Sequence, residues 1–126
     1  MKTTRPLELI YLSAFVAPTN VDGDLHVFFA LDDYSQFFFQ LDVESESNEL
    51  TIVNNIIKFT QHQDFVKQFN NKPFTLVIPF ELDTPSQALV NDVLKLFNAR
   101  ISYNQELVFE KVKPVLNTIF KMNKPN

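Results

Sequence analysis

The chain has 126 residues, 45% of them hydrophobic and 21% charged, a balance that supports one ordinary globular domain with a real core and excludes a disordered chain. It contains no cysteine, which excludes disulfide frameworks, cysteine zinc sites and thiol nucleophiles. The net charge of −4 argues against a free-standing nucleic-acid binder, because affinity for DNA comes largely from lysine and arginine on phosphate.

The elements follow in chain order. Residues 7–16 read as a first strand, closed by Ala17-Pro18, and the run to Asp24 is a turn cluster with Asp22-Gly23 as its strongest signal. Residues 25–31 are apolar on both faces apart from His26, which suits a strand covered on both sides. After a turn at Asp32-Asp33-Tyr34-Ser35, residues 36–43 alternate. Phe37, Phe39, Leu41 and Val43 fall on one face and Gln36, Phe38, Gln40 and Asp42 on the other, as in an edge strand with one wet face.

A helix follows, capped by Ser45 or Ser47, with Leu50, Val53, Ile56, Ile57 and Thr60 on one face, and it is expected to reach about Phe65. Asn70-Asn71-Lys72-Pro73 breaks the chain before a buried strand over 74–80. Thr84 as N-cap, Pro85 at the first helical position and Gln87 completing a capping box start a second helix, whose apolar face is Leu89, Val90, Val93, Leu94 and Phe97. Residues 99–103 make a short strand. Residues 105–122 are helical in period, with Pro114 expected to kink or split the run. The order β-β-β-α-β-α-β-α predicts an antiparallel meander followed by parallel strands reached through helices.

The stretch Phe28-Phe29-Ala30-Leu31-Asp32-Asp33-Tyr34-Ser35-Gln36-Phe37 resembles the strand–turn–strand of retroviral-type integrase and transposase catalytic cores, the DDE family. Leu41-Asp42-Val43, the Ser-Glu-Ser segment and a helix ending Ile56-Ile57-Lys58-Phe59 continue it, and beyond that the match is one of order and pattern. The resemblance implies an α/β, ribonuclease H-like fold: a five-stranded mixed sheet of order 3-2-1-4-5 with helices on both faces, as a single domain over residues 1–126.

In that family two aspartates and a glutamate hold two divalent metals, because hard cations take oxygen ligands and two ions close together need negative charge between them. The family positions fall here on Ser13, Phe80 and Glu110. A hydroxyl and a phenyl ring cannot replace the aspartates, so the resemblance implies a degenerate member with no catalytic residues, no metal site and no cofactor. The alternatives are a divergent active core, in which Mg²⁺ or Mn²⁺ returns through a shifted alignment onto Glu81 or Asp83, and an unrelated α/β interaction domain.

Other candidates carry less. Asp32 and Asp33 sit where aspartate ordinarily bonds the local backbone of a turn. His26 and His62 are too few and too scattered for a metal site, and Ser13, Ser35 and Ser86 have no activating partner at a telling spacing. Core packing accounts for most of the 14 phenylalanines better than a base-stacking platform does. After Glu110 come Lys111, Lys113, Lys121 and Lys124 and no acid, a basic end that could touch phosphate weakly but is more simply a solvated face.

A homodimer is expected, through Phe38 on the wet face of the edge strand and through Leu116, Ile119 and Phe120 on the last helix. The apolar stretches at 25–31 and 74–80 fall well short of the roughly 20 residues that span a bilayer. Glu8 interrupts any apolar leader. A cytoplasmic protein without membrane contact is expected.

Overall fold

A computed structural model describes residues 3–21 and 23–123 of the protein, with side chains as far as Ile119. Five strands, β1 (Leu9–Pro18), β2 (Asp24–Asp32), β3 (Phe38–Glu44), β4 (Phe74–Ile78) and β5 (Ala99–Tyr103), form one sheet of order β3-β2-β1-β4-β5. The β1/β2 and β2/β3 pairs are antiparallel, and β4 is parallel to both β1 and β5. The expected topology and mixed character of the sheet are therefore observed. β2 lies inside the sheet and β3 at its edge.

Both faces are covered, and successive residues of the central strands show it. Ile10, Leu12, Phe28, Ala30, Leu76 and Ile78 enter one core with α1 (Glu49–Gln61), α2 (Gln63–Gln68) and α3 (Thr84–Lys95). Their neighbours Tyr11, Phe29, Leu31 and Val77 enter a smaller core on the other face, under α4 (Gln105–Asn123). Alternate burial to opposite sides is the signature of a strand sandwiched between helix layers.

Phenylalanine fills the larger core. The Phe59 and Phe65 rings lie 4.6 Å apart, and Phe69, Phe74 and Phe97 pack round Phe65 with centroids 5.3–5.7 Å from it. Offset and edge-on contacts of this kind add to simple area burial. Core packing thus accounts for most of the phenylalanines, as expected, although Phe37, Phe80 and Phe109 remain exposed.

Several boundaries differ from the sequence reading, each for a local reason. The helix expected to run from Ser45 or Ser47 to Phe65 starts later, at Asn48, which forms a reciprocal capping box with Thr51. It also breaks at His62, whose backbone is extended (φ −63°, ψ 134°) and whose ring accepts from the Asp64 N–H at 3.1 Å to cap α2. The break turns Phe65 into the core. Asp83, not Thr84, caps α3 by accepting from the Ser86 N–H at 2.8 Å, while the Gln87 side chain reaches back to the Leu82 carbonyl. Pro114 does not split α4. It lies on an exposed side, where the carbonyl it leaves without an N–H donor can face water.

The edge strand holds the main correction. A bulge sets in between the pairs Val27↔Val43 and Phe29↔Gln40, which breaks the strict alternation and puts Val43 on the same face as Phe38 instead of with Phe39 and Leu41. Phe38 is not a free aromatic on a wet face. Its ring stacks on Phe29, centroids 4.9 Å apart and 15° from parallel, and it joins the core under α4.

Candidate functional site

In open sheets with parallel strands, ligand sites form beyond the carboxyl ends of those strands. Here β1 and β4 run in register from Leu9↔Thr75 to Tyr11↔Val77, so Ser13 and Pro79 emerge side by side where β4 stops. β5 ends beside them, with Ile78 paired to Tyr103 and the Asn104 N–H donating to the Ile78 carbonyl. The N-termini of α1, α3 and α4 open toward the same end. The Glu49 carboxylate ties two of them together, accepting from the Asp83 N–H at 2.8 Å and the Ser86 hydroxyl at 3.1 Å.

Two concavities meet at Ser13. A cleft of about 350 Å³ runs between Ser13, Ala14 and Pro79 and one flank of α4, where Gln105, Phe109, Val112 and Lys113 line it. A smaller hollow of about 170 Å³ lies toward α1, bounded by Ser13, Pro79, Phe80, Ser47 and Ile52. The structure therefore brings Ser13 and Phe80 together. Glu110 is not with them. It lines a broad depression on the opposite flank of α4, with Asp33, Tyr34 and Gln36. One residue along an α-helix is a 100° rotation, and that step separates Phe109, facing Ser13, from Glu110.

The lining fits no two-metal centre. Ser13 and Gln105 offer neutral oxygens, Phe80 and Phe109 offer rings, and no carboxylate lines either hollow. Among the described residues no three of the His, Asp or Glu side chains converge where one ion could be held. Two acids of this region have other partners, Asp83 capping α3 and Glu49 fastening the α1 and α3 starts, while the charge of Glu81 lies beside Tyr103. Burial first, and then Glu81, holds that phenol above its usual range. The histidines stand apart as well. His26 bonds the Ser47 hydroxyl at 2.7 Å and His62 caps α2.

The paired aspartates sit at the amino-terminal end of β1. Asp32 is fully buried, and its carboxylate accepts from the Leu7 N–H at 3.0 Å, the Ser35 N–H at 3.2 Å and the Ser35 hydroxyl at 2.5 Å. Leu7 has a positive φ of 58°, costly for a residue with a Cβ, and the Asp32 bond holds it there. Asp33 accepts from the Thr3 hydroxyl and the Tyr11 hydroxyl, each at 2.8 Å. Burial, then the Asp33 bond and charge, and lastly the charge of Glu110, push the Tyr11 phenol well above its usual range.

On the last helix, Leu116 and Ile119 are half-buried, with Leu116 against the smaller core. The Phe120 side chain lies outside the described residues. Gln105, Phe109 and Lys113, which the sequence reading does not single out, line the cleft. Their i, i+4, i+8 spacing puts them on one stripe beside the apolar Val108, Val112 and Leu116, a signal present in the sequence.

A meander of three antiparallel strands, two further parallel strands in the order 3-2-1-4-5, and helix layers on both faces define the ribonuclease H-like fold of integrase catalytic cores. Among solved structures the chain is similar to the HTLV-2 integrase catalytic core domain in complex with magnesium, in its dimeric form, with a TM-score of 0.54 and 11% identity over 95% of this chain and 77% of that one. No protein-family model and no curated protein matches the sequence. At 11% identity the likeness establishes the fold.

Proposed function

We propose that the chain, residues 1–126, is an integrase-core-like domain that has lost two-metal catalysis and works by binding or self-association. One observation carries this reading. Where β4 ends beside the middle of β1 the side chains are Ser13, Phe80, Gln105 and Phe109, while Glu110 faces the other flank of α4. Two Mg²⁺ ions close together need carboxylates, and this lining supplies neither negative charge nor a full set of oxygens. Calorimetric titration tests it: neither Mg²⁺ nor Mn²⁺ should bind saturably in the micromolar range. Saturable Mn²⁺ binding that is lost in Glu110→Gln would restore a working nuclease or transposase core.

Self-association is the second half of the proposal. The HTLV-2 core was solved in a dimeric form. Here Leu116 and Ile119 stay partly open on α4, next to a Phe109 that is 64% exposed. An apolar stripe only half covered by its own sheet suits a second copy. Light scattering should give twice the chain mass of 14.7 kDa, and Leu116→Glu should return it to the monomer. A wild-type monomer at high concentration would sink the dimer. Nucleic acid remains at most a weak partner, through Lys111 and Lys113 against an acidic whole. No helix among the described residues is long and apolar enough to cross a membrane, and a cytoplasmic site of action belongs to the same proposal.

A further inference from the structure

The cleft between β1 and α4 has a chemistry of its own. At about 350 Å³ it falls at the small end of the range for pockets that enclose small molecules. Ala14, Pro79, Val112 and Leu116 give it apolar walls, and Ser13 and Gln105 give it neutral hydrogen-bonding groups. Lys113 is the one ionised side chain in the lining, and no acid accompanies it. Its ammonium lies 5.4 Å from the centroid of the Phe109 ring, a contact that holds the charge at the cleft rim. Among the described residues it makes no ion pair.

From this we infer that the cleft binds a small amphipathic monoanion, an aliphatic or aromatic carboxylate with its apolar body against the β1 end and its carboxylate at Lys113. The complementarity is specific. A cation would meet Lys113 with like charge, and a neutral apolar molecule would gain nothing from the ammonium. A dianion would carry a second charge against apolar walls, where an unpaired charge is costly. The inference deepens the binding-module reading and rests on it in one respect, that no metal ions occupy the Ser13 end of the cleft.

Decanoate is a suitable probe, titrated into the full chain by calorimetry, with decanol as its neutral counterpart and amide shifts followed by NMR. Decanoate should saturate a single site and shift the Ser13 and Val112 amides. Each methylene buried should tighten binding about three- to fourfold, so hexanoate, four methylenes shorter, should bind at least about 80-fold more weakly. Lys113→Met, at an exposed position, should weaken decanoate about tenfold and leave decanol unchanged. Ser13→Leu, which fills the cleft, should abolish binding of both, and a thermal melt reports whether that variant is folded. Absence of saturation below micelle-forming concentrations would overturn the inference. So would saturable binding that neither variant alters, or decanol binding as tightly as decanoate. A parallel Mn²⁺ titration separates the two readings. Saturable Mn²⁺ binding alongside intact decanoate binding defeats the loss of catalysis alone, and no decanoate binding with no Mn²⁺ binding defeats the ligand alone.

Discussion

The amino-terminal end of β1 and its middle are built on opposite principles. At the Asp32–Asp33 corner every carboxylate oxygen has a donor: Leu7, Ser35, Tyr11 and Thr3 supply five hydrogen bonds between them. At the middle of the strand, round Ser13, the lining is apolar or neutral except for Lys113. Asp32 and Asp33 are therefore invested in architecture, and the cleft at Ser13 has no acid. A carboxylate pair in a sequence is a poor guide to chemistry when each oxygen can instead be used to fix a chain reversal.

The strongest way to break this contrast is Asp32→Ala. It strands the Leu7 and Ser35 N–H groups and removes what holds Leu7 at positive φ, so urea unfolding should show a loss of about 3 kcal/mol or more. A loss under about 1 kcal/mol would mean that the corner is not the lock described.

Tyr11→Phe probes the same corner more gently and should cost about 1 kcal/mol, the net worth of a buried hydrogen bond. It also carries a pH signature. Because the folded state raises the Tyr11 phenol above its usual value of 10.0, its contribution is complete below that pH. It is lost as pH rises toward the higher folded value, since the unfolded chain gives up the proton first. Stability measured upward from pH 10 should therefore fall in the wild type and fall less in Tyr11→Phe. The slope that remains belongs in part to Tyr103, which is raised as well. An unchanged slope would refute the assignment to Tyr11.

At the cleft end the same kind of truncation should matter less. Phe80 is 40% exposed, and Phe80→Ser should cost no more than about 1 kcal/mol in urea unfolding. Phe109→Ala, at the most open ring of the cleft, should stay within about 0.5 kcal/mol. Losses at Phe80 or Phe109 equal to that of Asp32→Ala would erase the distinction between a structural corner and a free cleft.

The sequence by itself determined the five strands in chain order, the antiparallel meander of the first three and the two-sided burial of β2, while the sheet order came with the family resemblance. Those follow from local turn chemistry and from hydrophobic period, both of which are written into short stretches such as Asp32–Ser35 and Thr84–Gln87. The family resemblance also singled out Ser13 and Phe80, which the structure brings together because β4 stops beside the middle of β1. Only the tertiary structure decided three things. A bulge turned Phe38 toward Phe29, which depends on pairing between strands and not on alternation within one. The break at His62 sent Phe65 into the core, a packing gain that the continuous helical period of the segment conceals. The rotation of α4 set Gln105, Phe109 and Lys113 beside Ser13 and carried Glu110 to the other flank. At 100° per residue, a site read one position off along a helix looks onto a different surface, and only the docking of that helix on the sheet fixes which one.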